Sequence, residues 1–279
     1  MVVLFGVQLL LGLSEEERLR QMQRALENHE EKLFISSTPI SSALAQLISD
    51  LLLLPRNNEE WTVVVSGSDF AESADEDILP ETELNLTFIG CYPVDDNSSQ
   101  ILQNAFQQVK MRSLVICGMD SSNDNHQRLM QVIFAGLPAV AAIDNNPVAS
   151  SLEHLIFEGV MSVENQIPMI NRWLCRHTNI AAVSVFSWNS INRNISASQF
   201  LVRAFQGVPH IVSVVKFYES QIDHIDEISQ WPSLGTLHLE DFASTLNTAG
   251  NLSSFTSLNC LELTDLSVPI EDTHLLELL

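Results

Sequence analysis

Short bursts of alternating apolar and polar residues recur along most of this chain. Each is followed by a polar loop and then by a longer stretch with helical spacing. The sharpest bursts are Trp231-Pro-Ser-Leu234-Gly-Thr-Leu237-His-Leu239 and Phe255-Thr-Ser-Leu258-Asn-Cys-Leu261-Glu-Leu263, 24 residues apart. Both read L-x-x-L-x-L. The last two leucines are two apart, so they share one face of a strand. Softer residues fill the same frame at Met111–Met119, at Ile180–Trp188, at Leu86, Ile89 and Cys91, and at Val212, Val215 and Phe217. Weaker copies are Trp61–Ser66, Leu137–Asn145 and Val160–Asn165, giving roughly nine units.

The helical stretches carry a second repeat. Leu129-Met-Gln-Val-Ile-Phe134-Ala-Gly136-Leu-Pro138 returns as Phe200-Leu-Val-Arg-Ala-Phe205-Gln-Gly207-Val-Pro209. Looser copies end at Phe157-Glu-Gly159 and at Phe106. The pattern predicts a phenylalanine near each helix end, filling the gap between helix and sheet. Gly136, Gly159 and Gly207 then fall at C′, where the backbone turns left-handed. Pro138 and Pro209 follow where a helix cannot continue. Upstream, Ser14-Glu-Glu-Glu17 is a capping box that opens a polar helix running toward Lys32. Leu44, Leu47, Leu51 and Leu54 predict a second helix over Ser41–Leu54, ended by Pro55-Arg-Asn-Asn58. Residues 1–58 therefore read as an N-terminal helical cap and residues 59–279 as the repeat domain. Met1–Leu13 reads as a buried strand or helix.

These motifs resemble a leucine-rich repeat protein, and the repeat lengths with true helices are most similar to the ribonuclease-inhibitor-like type. The resemblance covers about residues 58–279. It implies an α/β solenoid with a curved parallel sheet inside and helices outside. One unit cannot bury its apolar face alone, so neighbours stack and share a core. The sequence departs from the pattern in two ways: many consensus leucines are Val, Ile, Cys, Met or Phe, and the Asn or Cys after the strand is mostly missing, with Asn145 as one example.

Composition changes the picture in one respect. The chain has 279 residues, 46% apolar, with 35 acids against 13 bases and a net charge of −22. From Ala204 to the end Lys216 is the only base. Phosphate contacts need Lys and Arg, so nucleic acid and anionic membranes are excluded as expected partners. A basic protein would be attracted and steered. Cys91, Cys117, Cys175 and Cys260 form no C-x-x-C pair and lie in or beside apolar runs, which predicts buried free thiols and a cytoplasmic protein.

Candidate chemistry is sparse. The chain has no H-E-x-x-H, G-x-S-x-G, Walker or G-x-G-x-x-G sequence. Val65-Ser-Gly-Ser68-Asp69 lacks the flanking glycines of a nucleophile elbow. The acidic run Asp69–Glu83 lacks the alternating ligands and central glycine of a calcium loop, and Asp120–Asn125 fails the same test and reads as a helix cap. No catalytic residue, metal site or cofactor is expected. Alternation along the strands instead selects a concave surface: Ser187 and Asn189; Lys216 and Tyr218; Thr236, His238 and Glu240; Glu262 and Thr264. Tyr218 with Lys216 and His238 is the expected hot spot, since tyrosine is enriched among interface anchors.

The resulting expectation is a non-enzymatic scaffold that binds a partner protein, a basic one by charge, through this surface. The alternative is a recognition subunit or fragment of a larger protein: a ubiquitin-ligase adaptor, a microbial effector, or an enzyme whose catalytic domain lies elsewhere. The apolar Leu275-Leu-Glu-Leu-Leu279 end adds an expectation of self-association through the C-terminal edge.

Overall fold

Among the described residues, six strands of this chain end in the same kind of corner. In the computed structural model, the residue after the strand takes a left-handed backbone at Ser37, Gly90, Gly118, Gly159, Ser187 and Glu219, with φ between 43° and 56°. Its N–H then bonds the last carbonyl of the neighbouring strand, as in Ser37 to Ile89, Ser187 to Tyr218 and Glu219 to Glu240. The corner thus adds one more rung to the ladder before the chain leaves. The structure describes residues 7–9, 13–55, 60–67, 84–120, 122–134, 152–160, 163–176, 180–188, 195–222, 225–240, 243–244 and 254–264. The chain divides into two compact units, Met1–Asn145 and Asn146–Leu279.

In the first unit the elements are β1 (Val7–Leu9), α1 (Glu15–Glu27), β2 (Lys32–Ser36), β3 (Pro39–Ile40), α2 (Ser42–Leu52), β4 (Trp61–Ser66), β5 (Asn85–Ile89), β6 (Tyr92–Pro93), α3 (Asp96–Gln108), β7 (Met111–Cys117) and α4 (Asp124–Phe134). Ser14 and Ser41 cap α1 and α2, each accepting from the N–H three residues on. Asp95 caps α3 in a reciprocal box with Ser98. The main sheet is parallel, in the order β1-β2-β5-β4-β7.

This arrangement corrects two expectations. A solenoid stacks its strands in chain order, and here β5 lies between β2 and β4. Residues 1–58 are not a purely helical cap either. The first helix stops at Asn28 and His29, whose φ is 54°. Lys32–Ser36 then alternates exposed and buried and pairs with β5. That pairing places the segment inside the first unit's sheet.

In the second unit the elements are β8 (His154–Glu158), a 3₁₀ turn (Val163–Gln166), α5 (Ile167–Leu174), β9 (Ile180–Phe186), α6 (Ala197–Ala204), a 3₁₀ turn (Pro209–Ile211), β10 (Val212–Tyr218), β11 (Gln221–Ile222), a 3₁₀ helix (Ile225–Gln230), β12 (Thr236–Glu240), β13 (Ala243–Ser244) and β14 (Cys260–Thr264). Its main strands are parallel and follow chain order, β8-β9-β10-β12-β14. Leu155, Phe157, Val183, Val185, Val215, Phe217, Leu237 and Leu239 are fully buried on one face. Phe157 meets Phe200 of α6 edge-on at 4.9 Å, which identifies that face as the one under the helices.

The phenylalanine repeat is half right as a helix marker. Phe106, Phe134 and Phe205 do sit at or beside helix ends. Phe157 lies in β8, and residues 163–166 form a 3₁₀ turn where a strand was expected. Gly159 explains the confusion. Its φ is +55°, but it follows a strand. A glycine marks a left-handed residue without saying which element it ends. Cys91 and Cys117 are buried, whereas Cys175 is exposed at the end of α5 and Cys260 is half-exposed. Asp69–Glu83, Leu137–Asn145 with Pro138, Asn189 and Leu275–Leu279 lie outside the described residues.

Candidate functional site

Parallel register places the predicted surface residues of the second unit in rows. One row runs Ile156, Ser184, Lys216, His238, Glu262 across five strands. The next runs Glu158, Phe186, Tyr218, Glu240, Thr264. A third runs His154, Ala182, Val214, Thr236, Cys260. All three rise from the face away from the helices, because their neighbours along each strand fill the core. On β10 and β12 these positions stay half-exposed while Val215, Phe217, Leu237 and Leu239 are sealed.

The rows bring most of the expected residues into contact. Phe186 and Tyr218 stack face to face, with ring centres 4.2 Å apart and planes within 1°. The His238 ring lies 5.0 Å beyond Tyr218. Such cross-strand neighbours stabilise a sheet by roughly 0.2–1 kcal/mol a pair. The rings stand upright from adjacent strands, so a partner meets their edges and the Tyr218 hydroxyl.

His238 is the hub. Its Nδ1 lies 2.7 Å from Glu262 Oε2, and its Nε2 lies 3.1 Å from Glu240 Oε2 and 3.3 Å from Thr264 Oγ1. Only 12% of its side chain is exposed, against 53% for Glu262. It therefore sits below the two carboxylates and bridges β12 to β14. The Cys260 thiol donates to the other Glu262 oxygen at 3.6 Å. These bonds, His238 first, with the nearby charges of His238 and Lys216, hold the Glu262 carboxyl below the usual carboxylate range. Burial, then the charges of Glu240 and Glu262, push the Tyr218 phenol up. Partial burial and Glu262 push the Cys260 thiol up.

Ser187 turns away from this row. It is the left-handed corner after β9, and its hydroxyl donates to Glu219 Oε2 of the next corner at 3.0 Å. Thr236 joins the third row without a side-chain contact to the hub, and Lys216 lies beside His238 in register. Sequence reasoning placed His238 on this face but gave it no carboxylate partner. The signal was present, because aligning Leu237 and Leu239 with Leu261 and Leu263 puts His238 beside Glu262. Reasoning from sequence also missed Phe186 and the corner residue Ser220. The buried Ser220 hydroxyl donates to the Tyr218 carbonyl at 2.7 Å and accepts from the Trp188 N–H at 3.2 Å, fixing the end of β10. Cys91 does similar work after β5, donating to the carbonyls of Ile35 and Ile89.

A groove between α5 and α6 is lined by Arg172, Arg203, Asn171 and Cys175. Both arginines occupy the last turn of their helices, where a cation complements the helix dipole, so their placement is explained structurally. Among the described residues, no cluster of three or more His, Cys, Asp or Glu side chains is arranged to hold a metal, and no helix is long and apolar enough to cross a membrane. No protein-family model matches the chain, and no curated protein matches it significantly.

Proposed function

We propose that the second unit is a short leucine-rich-repeat-like solenoid, and that its helix-free face binds a partner protein without catalysing a reaction. The observation that carries this reading is the set of rows: aromatic, basic, acidic and hydroxyl side chains in strict register, half-exposed on β10 and β12, where Val215, Phe217, Leu237 and Leu239 on the other face are sealed. Chain-order strands with helices on one side are what a repeat solenoid requires. Tyr218, with the stacked Phe186 behind it, supplies the rigid anchor typical of hot spots. Lys216, His238, Glu240, Glu262, Thr236 and Thr264 supply the polar surround. Glu219, Glu240 and Glu262 favour a basic partner, consistent with the charge of the whole chain.

A photo-crosslinking amino acid placed at Thr236 tests the face against the same probe at Gln46, an exposed position on α2. In cell extract, the expected outcome is a discrete protein adduct at Thr236 that is absent at Gln46 and lost when Tyr218→Ala is added. Equal labelling at both positions, or none at Thr236, refutes the reading.

A further inference from the structure

We propose that His238 is a proton-operated gate on this face, controlling whether the Glu240 carboxylate is available to a basic partner. This regulation rests on the docking reading above. The geometry offers His238 two complete sets of hydrogen bonds. A charged imidazole carries N–H at both nitrogens. It then donates from Nδ1 to Glu262 at 2.7 Å and from Nε2 to Glu240 at 3.1 Å. A neutral imidazole has one N–H and one lone pair. A lone pair facing a carboxylate is repelled, but Thr264 Oγ1 lies 3.3 Å from the same Nε2 and can donate to it. In the neutral state Nδ1–H stays on Glu262, the Thr264 hydroxyl turns to Nε2, and Glu240 is released. No backbone movement is needed, because both Nε2 partners are already within reach.

The charges around the ring fix the direction of the gate. Lys216 and Tyr218 face it from β10, Glu240 from its own strand, and Glu262 and Cys260 from β14. With the imidazole charged, Lys216, His238, Glu240 and Glu262 are together neutral and both carboxylates are engaged. Once the proton leaves, the group carries one net negative charge and Glu240, already 38% exposed, has no donor. A cationic side chain then replaces the lost imidazolium. Acid closes the site and neutral-to-alkaline conditions open it. The two states of the ring are compared at pH 5.5 and pH 8.5, on either side of the ordinary imidazole value of about 6.5.

Two measurements on the full chain test this. Nitrogen NMR of the His238 ring reads the exchange without any partner. The expected result is two protonated nitrogens at pH 5.5 and the Nδ1–H tautomer at pH 8.5, selected by Glu262. The Nε2–H tautomer at pH 8.5, or an unchanged ring between the two conditions, overturns the gate. Fluorescence anisotropy with a labelled deca-arginine peptide at constant ionic strength reads the consequence. Wild type is expected to bind about tenfold tighter at pH 8.5, a change of about 1.4 kcal/mol. Glu240→Gln and Thr264→Val are each expected to shrink that ratio to within twofold. A ratio that survives in both variants assigns the pH effect to other histidines and overturns the gate. Normal ring exchange without peptide binding at either pH overturns the control of a basic partner, while the Thr236 crosslink reports separately on whether the face docks a protein.

Discussion

Strand β4 of the first unit and strand β12 of the second are both parallel strands between two neighbours, yet they are written differently. Trp61-Thr-Val-Val-Val-Ser66 is buried at every position. Thr236-Leu-His-Leu-Glu240 is buried only at its leucines. A strand covered on both faces reads as a continuous run of small and β-branched residues, whereas a strand covered on one face alternates. The partner β7 shows the same doubly buried character, with Ser113, Val115 and Cys117 sealed on the face away from the leucine and isoleucine core. The lesson is that display is a property of particular strands. In the first unit β4 and β7 commit both faces to burial while β5 leaves Asn85 and Thr87 half-exposed. In the second, β8 and β9 bury Ile156, Ala182 and Ser184 as well as their core face, and β10 and β12 keep one face open to carry chemistry.

The sharpest way to break this comparison is to put a charge on corresponding faces. Val64 is 5% exposed at the centre of β4. Val64→Asp is expected to cost 4 kcal/mol or more and abolish cooperative folding, since an unpaired buried charge is among the most damaging changes (order of magnitude from). Thr236→Asp on the open face is expected to shift stability by under about 1 kcal/mol. Urea denaturation followed by circular dichroism compares the two, and similar losses would erase the distinction.

Next in size is the alkaline behaviour of the first unit. Burial pushes the Cys91 thiol from 9.0 up to about 11. A raised acid keeps its proton longer in the fold than in the unfolded chain. Its contribution is therefore present in full below pH 9 and is lost as pH rises from 9 to 11. Two units correspond to about 2–3 kcal/mol. Cys91→Val is expected to flatten the stability profile in that window relative to wild type. Parallel profiles would show that the thiol is not the cause.

Gly67, after β4, distinguishes a packed corner from an open one. A methyl group there would lie 2.6 Å from the Gly118 carbonyl oxygen and 2.6 Å from His126 Cε1. Gly67→Ala is expected to cost about 1–3 kcal/mol through overpacking, measurable as a lower denaturation midpoint. The smallest effect comes from the second unit's corner at Ser187, held at φ 48°. Ser187→Gly relieves left-handed strain of about 1–2 kcal/mol at an entropic cost of roughly 0.5–1, for a net gain of about 0.5–1 kcal/mol. A loss of stability would show that the Ser187–Glu219 bond outweighs the strain.

Much of the second unit was legible because alternation survives in β10, β12 and β14, and shared leucine spacing aligns one strand with the next. That alignment also yields the rows and nearly yields the His238–Glu262 contact. The first unit was legible element by element, since Trp61–Ser66 and Met111–Cys117 announce themselves as strands. Its order was hidden, because a doubly buried strand looks the same beside either neighbour. β2 was hidden by shortness: Leu33 and Ile35 are its only sealed positions, and the polar helix before it shows no glycine or proline stop. The Gly159 corner was misread because one left-handed residue serves both helix ends and strand ends.

Parallel pairing has a consequence for how such a face can change over time. Ser184, Lys216, His238 and Glu262 stand one strand spacing apart, an interval of about 4.8 Å set by backbone hydrogen bonds rather than by the side chains themselves. Replacing one of them rewrites what is displayed at that coordinate and leaves the coordinate where it was. The sheet thus works as a fixed printing plate on which selection can reset single characters, and specificity can drift residue by residue while the core that carries the plate stays unchanged.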